Sequence, residues 1–220
     1  METLAVIAQK GGVGKTTLAV HLAFLAAVKG LAVVFIDTDE QGTGVDWIQE
    51  REKENELVAV RATADQIEGF LRKAEEGGAD LVIIDTAPAL NRAAALAAEK
   101  ADFVLIPCNP SKGAMKTLPA TLSIIGRAKK PYSIVINEKQ QGGRADHVAG
   151  LMKQQGFIVL NTQISKRVAL DYCNDDGRTV FEYEPDNKAA QEIEELFDEV
   201  SGLIDINISS YHDIKKEDAA

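Results

Sequence analysis

The sequence predicts an α/β fold, a three-layer sandwich in which a mostly parallel central sheet is flanked by helices. Three observations lead there. Runs rich in valine and isoleucine alternate along the chain with stretches of helical periodicity. The runs are continuously apolar, as strands covered on both faces must be. Several end in a polar residue, Asp37, Asp85 or Asn137. Parallel strands bring such residues to one edge, the carboxyl ends, where ligands bind in sheets of this kind, and the crossovers are expected to be right-handed.

The elements follow in order. Residues 4–8 form the first apolar run, followed by a glycine-rich loop, and residues 16–28 have apolar side chains at helical spacing. LAVVFI at 31–36 is a strand ending in Asp37, and 58–60 is a weak one. Residues 64–76 read as a helix stopped by Gly77-Gly78, and 81–84 as a strand ending in Asp85. A strand at 103–106 ends in Pro107, a helix spans 115–128 in spite of Pro119, and a strand at 133–136 ends in Asn137. Residues 146–155 are helical, 157–160 a strand, and 166–175 and 187–204 helical. No internal repeat is visible. Residues 1–206 read as one domain, and the polar stretch 207–220, ending KKEDAA, as a disordered tail.

The composition narrows the classes. With 220 residues, 45% of them hydrophobic and 26% charged, the chain can build a core without staples. Cys108 and Cys173 are too far apart in sequence for a CxxC pair, so no zinc site or disulfide framework is expected. No apolar run reaches the roughly 18 residues of a membrane span, and the start lacks a signal-peptide pattern, so a cytoplasmic protein is expected. The net charge of −10 disfavours an overall nucleic-acid surface but leaves room for a local basic patch.

The loop after the first strand reads Gln9-Lys10-Gly11-Gly12-Val13-Gly14-Lys15-Thr16-Thr17. Glycines let backbone amides turn inward around phosphate oxygens, and a helix amino terminus favours negative charge. Gly11, Gly12, Val13 and Gly14 therefore supply a cradle, Lys15 a cation for the β- and γ-phosphates, and Thr16 a hydroxyl ligand for Mg2+, with Thr17 reaching the α-phosphate. This pattern between strand and helix predicts a P-loop NTPase that binds ATP with Mg2+.

The loop departs from the common pattern at Gln9 and carries a second lysine, Lys10. This form resembles the deviant P-loop of the ParA/MinD superfamily of ATPases. The resemblance implies a homodimer with ATP sandwiched at the interface, in which Lys10 reaches the partner's nucleotide and joins Lys15 and Asp37 in catalysis. LAVVFIDTDEQG resembles the family's second motif, so Asp37 would orient the attacking water and bear on the metal through water. Asp39 reads equally as a cap for the following helix. LVIIDTAP resembles a Walker B strand, with Asp85 holding Mg2+ through water. Pro107-Cys108-Asn109-Pro110-Ser111 resembles the family's segment after the next strand. By the same likeness Asn137 would contact adenine, although a plain turn residue is also possible there, and Pro185 in the 184–187 loop would border it.

Among branches of the family, the tail has no sustained apolar face for membrane recruitment, and no helix-turn-helix is expected before the loop. The resemblance is nearest to short ParA-type ATPases that are slow, stimulated by a ParB-like or cargo adaptor protein, and associated with nonspecific DNA when ATP-bound. Lys153, Lys166, Arg167, Arg178 and Lys188 are the candidate DNA contacts, with a solvated face as the alternative. The cargo could be a plasmid or chromosome, or a protein body. A P-loop synthetase acting on a small carboxylate is a third reading, which Lys10 disfavours.

Overall fold

The computed structural model describes residues 1–50, 57–89, 91–204 and 206, with the side chains of 174–176 left aside. The expected tail at 207–220 lies outside the described residues. The strands are β1 Glu2–Val6, β2 Val33–Asp37, β3 Leu57–Arg61, β4 Leu81–Asp85, β5 Phe103–Cys108, β6 Tyr132–Lys139 and β7 Val159–Ser165. The helices are α1 Lys15–Val28, α2 Thr43–Gln49, α3 Ile67–Glu76, α4 Arg92–Lys100, α5 Lys112–Ala128, α6 Arg144–Gln154, α7 Val168–Asp176, α8 Val180–Tyr183 and α9 Lys188–Ser201.

The seven strands form one sheet in the order β3-β2-β4-β1-β5-β6-β7, and every pairing is parallel. The expected architecture holds, and the sheet is parallel throughout rather than mostly so. Alternation along β1 shows how it is covered. Leu4 and Val6 enter a core cluster with α1, α2 and α9, while Ala5 and Ile7 enter a second with α3 to α6. Burial on both faces is what the continuous apolar runs require. Helix α1 is buried on nearly all sides, from Leu18 through Ala26, as expected of a helix apolar all round.

Three helices lie where the sequence suggests only connections. Helix α4, RAAALAAEK, packs through Ala93, Ala94, Ala97 and Ala98; alanine gives little hydrophobic contrast, so its periodicity is faint. Helices α2 and α8 are too short to show a period. Strand β7 runs on to Ser165, five residues beyond the apolar signal, because Asn161, Thr162 and Ser165 bond through their amides to Glu199 and Glu192 of α9. Helix α5 tolerates Pro119, which is exposed near its second turn.

The chain crosses outward from β1 to β2 and β3, returns to β4, then passes to β5 on the other side of β1. In register, Asp37 of β2 lies beside Asp85 of β4, and Asp85 beside Val6 of β1. The polar strand ends expected to share one edge do share it.

Candidate nucleotide-binding site

The β1–α1 loop turns on Gly12 and Gly14, at φ 66 and 83, where a side chain is strained. At Gly14 an added Cβ would stand 2.1 Å from Asn137 Nδ2. Asn137 uses that nitrogen to donate to the Val13 carbonyl at 2.8 Å, bracing the loop from the end of β6. We expect Gly14→Ala to cost ~1–3 kcal/mol of backbone strain and to weaken nucleotide binding with it. Thermal melts and a fluorescent-nucleotide titration check this; an unchanged melt would contradict the geometry. Helix α1 opens directly after Gly14 with no side-chain cap and no acidic residue in its first turn. Its first amides are therefore left for an anion.

Lys15 is only 6% exposed. Burial holds its ammonium pKa below the usual lysine value, against the pull of Asp85 and Asp39. Thr16 Oγ1 donates to Asp85 Oδ2 at 2.6 Å. Asp85 is fully buried, and its Oδ1 has no hydrogen-bond partner. Burial, together with the neighbouring charge of Asp37, pushes its pKa up to about 7, despite the bond from Thr16 and the charge of Lys15. An orphaned carboxylate oxygen is costly and calls for a reason. A hydroxyl and one carboxylate at the foot of a phosphate cradle are a donor set that suits Mg2+, which takes few protein oxygens and keeps water and phosphate oxygens besides. The residues thus fit the ion, with Thr16 and Asp85 the groups to hold it.

Asp37 is 1% exposed. Its Oδ1 accepts from the Asp39 amide at 2.9 Å, and its Oδ2 from the amides of Gly44 and Val45 at 3.0 and 3.4 Å. It is therefore Asp37 that satisfies the amino terminus of α2. Asp39 only closes a local turn, accepting from the Gln41 amide at 3.1 Å. Three amides take most of the roughly four lone-pair sites of a carboxylate, leaving about one for water. Burial raises the Asp37 pKa, and the three amides oppose it.

Lys10 does not line the cradle of its own chain. Its Nζ donates to Asn109 Oδ1 at 3.2 Å and to Ser111 Oγ at 3.3 Å, in the β5–α5 loop. Beside Asn137 a small recess is lined by Gly14, Thr17, Glu138, Lys166, Arg167 and Leu170, among others. Pro185 is not part of that lining. Glu138, a non-glycine residue at φ 56, holds its carboxylate against Asn109 Nδ2 at 3.1 Å.

The five basic residues singled out in the sequence do not form one group. Lys153 donates to Asn161 near the start of β7, whereas Lys166 and Arg167 follow the end of that strand. Arg167 is tied to Glu192 at 2.6 Å, and the Arg178 guanidinium stacks on Tyr183. Lys166 and Lys188 are exposed.

Sequence reading misses His21. It is fully buried in α1, with Nδ1 2.7 Å from the Thr17 carbonyl and Nε2 accepting from the Val180 amide at 3.0 Å. A carbonyl only accepts, so Nδ1 carries the proton and the ring is neutral. Trp47 of α2 lies edge-on to the ring and donates to the Arg178 carbonyl at 3.1 Å. The loop helix, α2 and the segment before α8 are thereby joined at one point. A lone histidine in an apolar helix was the only sign of this.

A parallel sheet with a glycine loop after its central strand, a buried lysine, and a Thr–Asp pair at the neighbouring strand end defines a P-loop nucleotide-binding protein. The chain matches the model of the CobQ/CobB/MinD/ParA nucleotide binding domain over residues 4–202 and belongs to that family. It is similar to the maintenance of carboxysome distribution protein A of Halothiobacillus neapolitanus, 27% identical over 207 residues, spanning 90% of this chain and 95% of that one. The protein of the same name from Gloeobacter kilaueensis is 38% identical over 109 residues, a match covering 49% of each chain. Among solved structures, a putative plasmid partition protein of Borrelia burgdorferi bound to AMPPNP superposes with a TM-score of 0.74 at 19% identity, covering 92% of this chain and 99% of that one. Among the described residues no helix is long and apolar enough to cross a membrane.

Proposed function

We propose that this chain is an ATP-hydrolysing positioning switch. It forms a homodimer with ATP in the seam, and an adaptor protein that carries the cargo stimulates hydrolysis and release. The observation that carries this reading is Lys10: a second loop lysine that its own subunit holds away from the phosphate cradle, on Asn109 and Ser111. A cation with no task at its own nucleotide is available to a second subunit's, where it would offset charge on the transferring phosphoryl group. Mg2+ on Thr16 and Asp85 supplies charge neutralisation of the phosphates. Lys15 binds them, the loop amides orient them, and Asp37 offers its remaining lone pair to the attacking water. ATP favours the dimer only through contacts made in that state alone.

The cargo has two readings. The likeness to carboxysome distribution proteins favours a protein body; the likeness to a plasmid partition protein favours DNA. In both, the ATP-bound dimer would move on nonspecific DNA. The test is ATP turnover with and without long duplex DNA and a candidate adaptor. Slow basal hydrolysis raised by the adaptor is expected, whereas turnover stimulated by a small carboxylate and indifferent to both would favour a synthetase. A sharper test is Asp37→Ala. Loss of the α2 cap should cost ~1 kcal/mol, hydrolysis should stop, and the dimer should accumulate with ATP on size exclusion. A variant that stays monomeric with ATP bound would count against the switch.

A further inference from the structure

Between Phe103 and Asn137 the sequence holds five basic residues, Lys112, Lys116, Arg127, Lys129 and Lys130, and no aspartate or glutamate, in a chain whose net charge is −10. Most of this stretch is α5. Its inner face, Ala114, Leu118, Thr121 and Ile125, is buried in the core. Its outer face repeats at 112, 116, 123 and 127, spacings of four, seven and four that keep one direction on a 3.6-residue helix. Lys112, Lys116, Ser123 and Arg127 on that line are all exposed, and so are the small residues Gly113, Ala120 and Gly126 beside them.

None of the five cations makes an ion pair or hydrogen bond with another described residue. Elsewhere six cations, Lys29, Arg61, Arg92, Lys100, Lys139 and Arg167, each hold a carboxylate. The arrangement also works against the helix. Lys112 stands at its amino terminus, where the dipole disfavours a cation. Lys112 and Lys116 repel one another four residues apart, and no acid occupies the first turn. Ser111, capping the Ala114 amide, and Arg127 in the last turn favour the helix, but the cations at its start oppose it, and a local choice that opposes its own element points to use elsewhere.

We infer that the outer face of α5, rather than the C-terminal basic residues, is the surface on which this protein meets the phosphate backbone of duplex DNA; the inference rests on the positioning reading above. The stripe is ~25 Å long for 17 residues. It carries no aromatic platform for unstacked bases. None of the large exposed apolar side chains lies on it, since Met115, Leu122 and Ile124 turn toward the core, so a bilayer finds no anchor. Small residues between the cations admit close approach of a rod of charge. Binding of this kind is independent of sequence and steeply dependent on salt.

The test compares three full-length proteins bound to Mg2+ and a non-hydrolysable ATP analogue, on a labelled duplex of arbitrary sequence over a salt series. They are the wild type, Lys116→Glu with Arg127→Glu, and Arg178→Glu with Lys188→Glu. Wild type should bind at low salt. The α5 variant should lose tenfold or more in affinity, and its log–log salt slope should fall by about 1.8, at ~0.9 per phosphate contact. Its melting temperature and basal ATP turnover should be unchanged, and Lys116→Gln with Arg127→Gln should give a smaller loss in the same direction. Wild-type affinity in the α5 variant, with the loss appearing in the Arg178/Lys188 pair, would overturn the inference and leave the positioning reading standing. Absence of wild-type binding to duplex, with or without binding to anionic phosphatidylglycerol vesicles, would overturn the inference together with the DNA step of that reading, while the nucleotide switch would be judged by Asp37→Ala alone.

Discussion

Replacing Lys15 with alanine is expected to weaken nucleotide binding severely. The side chain is 6% exposed, and burial works against its charge. Asp85 and Asp39 lie near enough to pull on its charge. Folding a buried ammonium into such a place is unfavourable unless it meets an anion. The alanine variant would remove the protein's own cation from between these carboxylates and the triphosphate, leaving only the metal. Truncating one member of a buried charge pair costs ~2–5 kcal/mol, so Kd should rise by roughly 30-fold to several-thousand-fold at ~1.4 kcal/mol per decade. Isothermal calorimetry with ATP and Mg2+ reads this directly. The fold should survive, since the change also relieves the burial of a charge. Near-normal affinity in Lys15→Ala would contradict the assignment.

The second large effect concerns Asp85 and pH. Its carboxyl is raised by burial, and then by the charge on Asp37, from an ordinary value of 3.8 to about 7. The folded state therefore holds a proton that the unfolded chain has released. For a group raised in this sense, the stabilisation is complete below the unfolded value and is lost as pH climbs through the folded one. The nucleotide-free protein should lose stability between about pH 4 and pH 7, by on the order of 4 kcal/mol at ~1.36 kcal/mol per unit. Burial shifts Asp37 in the same direction. Mg2+ with nucleotide should restore the lost stability, because the cation replaces the proton. Asp85→Asn should show a much shallower fall across that range, the remainder coming from Asp37, and should lose the response to Mg2+. An equally pH-dependent melt in Asp85→Asn would refute the role given to this carboxyl.

Much of this site is legible in the sequence because its chemistry is local. Glycines at fixed offsets from Lys15 and Thr16, set between a strand and a helix, specify a cradle. Strands ending in Asp37 and Asp85 announce an edge, since parallel topology fixes which ends meet. What was not legible depends on long-range contact. That Asp37 rather than Asp39 caps α2 depends on how the turn at 39–42 folds the start of α2 back over the end of β2, which no spacing records. That Lys10 rests on Asn109 and Ser111 needs two loops 99 and 101 residues apart to meet. His21, Trp47 and Val180 join three segments through single bonds with no shared motif. Among the basic residues of the C-terminal segment, the pairing of Arg167 with Glu192 of α9 was likewise not legible, since it joins residues 25 apart.

The most direct test is a crystal structure of this chain with Mg2+ and a non-hydrolysable ATP analogue. The expected result is a triphosphate wrapped by the amides of residues 11–16 with Lys15 on its outer phosphates, and the metal at Thr16 and Asp85, where the 2.6 Å bond between them now stands. A nucleotide seated elsewhere, or an empty junction with the Thr16–Asp85 bond intact, would contradict the assignment of this site.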